Sequence, residues 1–170
     1  MRMAVAYPSP LGKLLLTADQ TGLTGLWFDG QKYVRQDLEE NNREAALPIF
    51  EEAKRWLDIY FSGREPDFMP PLHLTGTPFQ EAVWEILLTI PYGATTTYGD
   101  MAKQLAAKRG LPHMSAQAVG GAVGRNPLAI IVPCHRCVGS KGQLTGYAGG
   151  LDKKKALLAL EKADILAQAK

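Results

Sequence analysis

The chain has 170 residues, 46% of them hydrophobic, and a net charge of +2, which allows one core or two small ones but excludes nucleic-acid binding by bulk charge alone. Two cysteines exclude a disulfide framework and favour a reducing compartment, so a cytoplasmic protein is expected, or a nuclear one in a eukaryote. No apolar run reaches the roughly 18 residues of a membrane span, and Met1-Arg2-Met3-Ala4-Val5 lacks the apolar stretch of a secretory signal, so no membrane partner is expected.

Met3 to Tyr7, Lys13 to Ala18 and Leu23 to Phe28 read as strands, separated by the turn sequences Pro8-Ser9-Pro10-Leu11-Gly12 and Asp19-Gln20-Thr21-Gly22. Connections this short imply an antiparallel meander. A helix from Pro48 to Phe61 follows, with Phe50, Ala53, Leu57, Tyr60 and Phe61 on one face, proline at its start and Gly63 past its end. That face is expected to cover the sheet. Trp27, Phe28 and Trp56 could form a base-stacking platform or a core, and their periodicity favours the core. Residues 64–72, with Pro66, Pro70 and Pro71, read as a linker. It divides the chain into a structural domain, 1–72, and a second domain, 73–170.

The second domain opens on Thr77-Pro78-Phe79-Gln80, a capping box with proline at the first helical position. Phe79, Ala82, Val83, Ile86, Leu87 and Ile90 recur at helical spacing until Pro91-Tyr92-Gly93 breaks the pattern. Thr97-Tyr98-Gly99-Asp100 caps a second helix that turns Met101, Ala102, Leu105 and Ala106 inward and ends near Arg109-Gly110. A third helix runs from about Ser115 to Asn126, giving helix-turn-helix geometry. Its buried face is Ala116, Val119 and Val123, and its outward face carries Gln117, Ala118, Gly121 and Ala122. Gly120, Gly121 and Gly124 each cost roughly 1 kcal/mol of helix stability relative to alanine. Close packing inside the domain would explain them, and so would close approach to another molecule.

Leu128-Ala129-Ile130-Ile131-Val132 reads as a short, buried central strand ending at Pro133. Cys134-His135-Arg136-Cys137 follows. Cys134 there is either a nucleophile with His135 as its base or a small buried hydrophobe. The C-x-x-C spacing also admits a redox pair or half of a zinc site. His73 and His113 do not complete zinc spacing, and a buried strand rather than a helix start leads into the pair. Thr145 to Gly150 is a loop suited to close approach of a ligand. A last helix is expected from Asp152 to Ala169, with Leu157, Leu158, Leu160 and Ile165 apolar and Lys153 to Lys155 exposed. Glu161 within it reads as solvated on burial statistics.

Asn126-Pro127, the apolar run, Pro133-Cys134-His135-Arg136 and Gly146-Tyr147-Ala148-Gly149-Gly150-Leu151 together closely resemble the O6-alkylguanine-DNA alkyltransferases. Matching features extend from about Thr77 to Glu161. The resemblance implies an α+β fold: an N-terminal, ribonuclease H-like antiparallel sheet with a covering helix, then a mostly helical domain with the helix-turn-helix and short central strand. It implies stoichiometric, irreversible transfer of an alkyl group from O6-alkylguanine in double-stranded DNA to Cys134, with O4-alkylthymine a further candidate substrate. His135 would be the base, Glu161 its orienter, Tyr98 a proton donor and Asn126 a hinge. Tyr147, Ala148, Gly149, Cys137 and Val123 would line the base pocket, with the backbone N–H of Ala148 meeting the leaving oxygen. The third helix would enter the minor groove and the lesion would flip out, with Gln117, Ala118, Gly121, Ala122, Arg125, Thr95 and Ser115 on DNA. Family members commonly carry arginine where this chain has Gln117, which implies weaker binding or altered flipping, and often serine in place of Ala148. Lys108, Arg109 and His113 in the preceding turn would add backbone contacts. Neither cofactor nor metal is implied, and a monomer is expected, with cooperative binding on DNA left open. The alternatives are a lesion-binding protein without transfer and a C-x-x-C redox or metal protein.

Overall fold

The computed structural model describes residues 3–29, 47–140, 142, 144, 147 and 149–161, and the chain divides into two compact units. The first comprises the chain to Thr75 together with Pro127–Ile131. Its strands β1 (Met3–Ser9), β2 (Gly12–Ala18) and β3 (Leu23–Phe28) form an antiparallel meander in that order. Ser9 pairs with Gly12 across a tight hairpin in which Gly12 has φ +105°, a conformation that glycine adopts without steric penalty. Leu14 and Leu16 of β2 and Leu26 of β3 are fully buried. Helix α1 (Pro48–Phe61) begins on proline as expected and buries Phe50, Ala53, Trp56, Leu57 and Tyr60. Trp27 and Phe28 are buried as well, so these aromatics are core.

The outer edge of β3 receives two separate segments. Leu23 donates to the Pro71 carbonyl and accepts from His73 N–H, both at 2.8 Å, while Leu26 donates to Pro127 (2.9 Å) and accepts from Ala129 (3.1 Å). Each proline supplies only its carbonyl, the one ladder group it has. The strand expected over Leu128 to Val132 is thereby corrected to a single bridge, Leu26 to Leu128. Beyond it, Ile131 N–H bonds the Ala129 carbonyl at 2.8 Å and Ile130 takes φ +71°. That is a γ-turn of the rarer positive-φ kind, which strains a β-branched residue. Apolarity there reports burial, and the turn overrides the extended pattern.

The second unit comprises Gly76–Asn126 and the chain from Val132 onward. Helix α2 (Pro78–Leu87) has the expected capping box complete, with Gln80 N–H on Thr77 Oγ1 and Thr77 N–H on Gln80 Oε1, each 3.1 Å. Thr97 caps α3 (Tyr98–Lys108) through Asp100 N–H, and Ser115 caps α4 (Ala116–Gly124) through Ala118 N–H. Parallel two-residue strands, β4 (Thr96–Thr97) and β5 (Cys137–Val138), pair just outside the Cys-His-Arg segment, a pairing too short to leave a sequence pattern. Helix α5 spans Leu151–Leu160, while the rest of the expected last helix, including Ile165, lies outside the described residues. Among the described residues no helix is long and apolar enough to cross a membrane.

Candidate active site

Pro133 sets the direction of the cysteine. With φ −80° and ψ 64°, and Cys134 N–H on the Val132 carbonyl at 2.7 Å, it forms an inverse γ-turn. A 3-10 turn over Cys134–Arg136 follows directly and leads into β5. Cys134 is 8% exposed. Burial pushes its thiol pKa up, while the Asn126 side chain and the charge of Lys154 pull it back, and burial prevails. Asn126, buried at the end of α4, also donates Nδ2 to the Val132 carbonyl at 2.8 Å. One side chain therefore holds both ends of the turn that carries the sulfur.

His135 and Glu161 side chains are fully buried and joined at 2.6 Å from Nε2 to Oε2. Arg136 adds Nε to Oε1 at 2.8 Å and Nη2 to Oε2 at 3.1 Å, and Gly93 N–H reaches Oε1 at 3.2 Å. Burial alone would raise the Glu161 pKa, but His135 and Arg136 outweigh it and hold it at about 2. Burial lowers the His135 pKa despite its glutamate partner. The pair is thus a neutral imidazole on an ionised carboxylate, whose charge Arg136 balances. A carboxylate can only accept, so Nε2 carries the proton and Nδ1 offers the lone pair of a base. Arg136 is anchored further by Nη1 on the Ile90 carbonyl, 2.7 Å away.

Lys154 corrects the expectation that residues 153–155 are exposed, because it is 0% accessible. Its ammonium donates to the Cys137 carbonyl at 2.6 Å and lies 5.9 Å from the Tyr98 ring centroid. Burial lowers its pKa. The buried stripe of α5 is Lys154, Leu157 and Leu158, continued by Glu161 at its cap, a spacing of three, four and seven. That register is the signal by which the sequence could have revealed the lysine. The Cys137 sulfur sits 3.5 Å from Met101 Sδ, and burial drives its pKa up to about 12, the state of an inert thiol.

Asn126 and Tyr147 act on the Cys134 thiol, His135 pairs with Glu161, and the charge of Lys154, which is tied to the Cys137 carbonyl and the Tyr98 ring, reaches both Cys134 and His135. Gly149 is half-buried and Ala148 lies outside the described residues. On α4, Gln117, Ala118, Gly121 and Arg125 are exposed, as is the capping Ser115, and Thr95 is half-buried before β4. Ala122 corrects the outward face: it is 4% exposed, falling with Val119 and Val123 on the buried stripe. A Cβ on Gly121 or Gly124 would meet nothing within 4 Å, so packing inside the unit does not require those glycines. In the turn between α3 and α4, the Arg109 guanidinium stacks 5.5 Å from the Phe79 ring centroid, and His113 lines a cavity of about 510 Å³ together with Lys103.

Two family models match the chain: the ribonuclease-like domain of 6-O-methylguanine DNA methyltransferase over residues 4–74, and its DNA binding domain over residues 78–163. The chain belongs to the 6-O-methylguanine DNA methyltransferase family. A methylated-DNA–protein-cysteine methyltransferase of Mycobacterium leprae is 47% identical over 161 residues, covering 93% of this chain and 91% of its own. The crystal structure of Mycobacterium tuberculosis O6-methylguanine methyltransferase superposes with a TM-score of 0.81 at 44% identity, covering 95% of this chain and 93% of that one. That of Mycobacterium tuberculosis OGT in complex with DNA gives 0.81 at 41% identity and covers 99% of both chains. In this methyltransferase family member, the residues matched by the DNA binding domain include every candidate site residue from Thr95 to Glu161.

Proposed function

We propose that the chain repairs DNA by direct reversal, taking an alkyl group from O6-alkylguanine onto Cys134. His135 Nδ1 accepts the thiol proton through a water, while Glu161 fixes the tautomer and Arg136 keeps Glu161 ionised. The thiolate attacks the alkyl carbon, the carbon–O6 bond breaks, and its electron pair leaves on the guanine, which Tyr98 protonates. Water then carries the proton held by His135 back to the Tyr98 phenolate, so that, net, the alkyl group ends on sulfur and one proton has passed from the thiol to the restored base. A thioether offers no route back to the thiol, so each molecule reacts once. The Cys137 carbonyl, polarised by Lys154, would accept from the guanine amino group, and Tyr147 would wall the pocket.

The observation that carries this reading is the Cys134 sulfur at the end of a γ-turn whose carbonyl the Asn126 amide holds, with the next residue, His135, a neutral imidazole bonded to Glu161. Exposed Gln117, Ala118 and Gly121 support α4 as the surface that enters the minor groove, where absent side chains allow close approach. A flipped lesion then reaches the thiol, with one monomer serving one lesion. Free thiols at Cys134 and Cys137 suit a reducing, cytoplasmic setting. The test is incubation with duplex DNA carrying one O6-methylguanine, followed by the mass of the tryptic peptide Asn126–Arg136. A gain of one methyl on Cys134, once per protein, is expected. Binding of the lesion with no gain would make the chain a lesion sensor, and neither binding nor gain would overturn the reading.

A further inference from the structure

Trp84 on α2 is 2% exposed, and its indole N–H donates to the Ala122 carbonyl of α4 at 2.9 Å. That carbonyl lies in the last turn of α4, where backbone acceptors have no partner further along the helix. It also accepts from Arg125 N–H at 3.2 Å. Nine residues with three glycines make a weak helix, so an outside anchor at this end carries weight. Gly76 leaves room for the ring, since a Cβ there would lie 2.6 Å from it. One residue past the helix cap stands Asn126, with its N–H on the Val123 carbonyl at 3.2 Å and its side chain shared between the Val132 carbonyl and the Cys134 sulfur. A continuous path therefore runs from the indole through the last turn of α4 to the sulfur.

We propose that Trp84 is a positioning residue for alkyl transfer: its indole N–H fixes the end of α4 so that the Asn126 amide stays on Cys134. The proposal rests on Cys134 being the acceptor, and it assigns to a residue of the packing helix an effect on the thiol. Without the N–H, the Ala122 carbonyl loses a buried donor and the last turn relaxes. Asn126 then keeps its stronger carbonyl bond and gives up the sulfur. The ionisable groups around the sulfur, Lys154 of α5, Tyr147, Cys137 and His135 with Glu161 and Arg136, are left in place by a change at Trp84.

The test compares wild type, Trp84→Phe, Asn126→Ala and the double variant. Alkylation of Cys134 by iodoacetamide is followed against pH on the Asn126–Arg136 peptide, and methyl transfer and duplex binding are measured in parallel. Trp84→Phe is expected to move the pH–rate midpoint to higher pH and to slow both reactions at pH 7 roughly tenfold, with duplex affinity unchanged. The double variant is expected to be no slower than Asn126→Ala alone, because the tryptophan acts through the asparagine. If Trp84→Phe folds poorly, site-specific replacement of Trp84 by its benzothiophene isostere keeps the ring shape and deletes only the N–H, and the same shift is expected. A profile that superimposes on wild type, or effects that multiply in the double variant, would overturn the proposal. The iodoacetamide arm needs no DNA, so it decides the role of Trp84 even if the duplex reaction fails and the repair reading falls.

Discussion

Glu161→Gln isolates the charge at the centre of the network. The carboxylate accepts from His135 Nε2 (2.6 Å), Arg136 Nε (2.8 Å) and Nη2 (3.1 Å), and Gly93 N–H (3.2 Å). Glutamine keeps the shape, removes the charge and turns one acceptor into a donor facing donors. The Glu161 pKa moves from its ordinary 4.5 to about 2 on folding, which at about 1.4 kcal/mol per unit is worth about 3 kcal/mol. Removing one partner of a buried pair costs about 3–5 kcal/mol, in agreement. At about 2–4 °C per kcal/mol for a chain of this size, a melt lower by about 6–12 °C is expected at pH 7. The folded pKa is the depressed one, so the carboxylate's stabilisation is present above pH 4.5 and is lost as pH falls toward 2. The gap between wild type and variant should therefore close across that window. Transfer should fall further than stability, because an imidazole that loses its tautomer can cost as much as about 10⁴-fold in a comparable triad. Thermal melts between pH 7 and pH 2, with single-turnover methyl transfer at pH 7, measure both effects. A variant that melts within about 2 °C of wild type and transfers within about threefold would refute the reasoning.

Three further substitutions separate stability from chemistry. Gly121→Ala meets open space, so it should raise stability by up to about 1 kcal/mol while weakening duplex binding measured by anisotropy; unchanged binding would remove α4 as the interface. Lys154→Met exchanges a buried cation for an apolar chain of similar length, which should leave the melt unchanged or raise it. The same change should slow transfer by about an order of magnitude at pH 7 and move its pH profile to higher pH, and an unmoved profile would show that the lysine charge does not reach the thiol. Cys137→Ser should leave transfer intact, because the Cys137 thiol is held at about 12; loss of transfer in a variant with a normal melt would return the C-x-x-C pair to redox or metal chemistry.

The elements most legible in sequence are those whose pattern and punctuation agree. Strands β1 to β3 are short apolar runs divided by proline and glycine turns, and α1 begins on Pro48 and ends ahead of Gly63. Leu128 to Val132 misleads for a physical reason: five apolar residues report that the segment is buried, whereas its conformation is set by γ-turns centred on Ile130 and Pro133. The strain at Ile130, on the order of 1–3 kcal/mol, sits four residues before Cys134 in the sequence.

Lys154 and Glu161 show how a buried charge can be found from its register. Taken one at a time, a lysine in a run of three and a glutamate among leucines are both solvent-facing residues. Set beside Leu157 and Leu158, they occupy the first and last positions of the same buried stripe, seven residues apart. A charge in register with a hydrophobic face must either leave that face or find partners inside. Here the lysine finds the Cys137 carbonyl and the glutamate finds His135 and Arg136. Burial of an ion is costly enough that the pairing must be nearly complete, so charges that break a helical apolar stripe point toward a site through their spacing alone. The helix that looks least amphipathic, α5, is for that reason the one whose inward face supplies the cation whose charge reaches the Cys134 thiol, and whose cap supplies the carboxylate paired with His135.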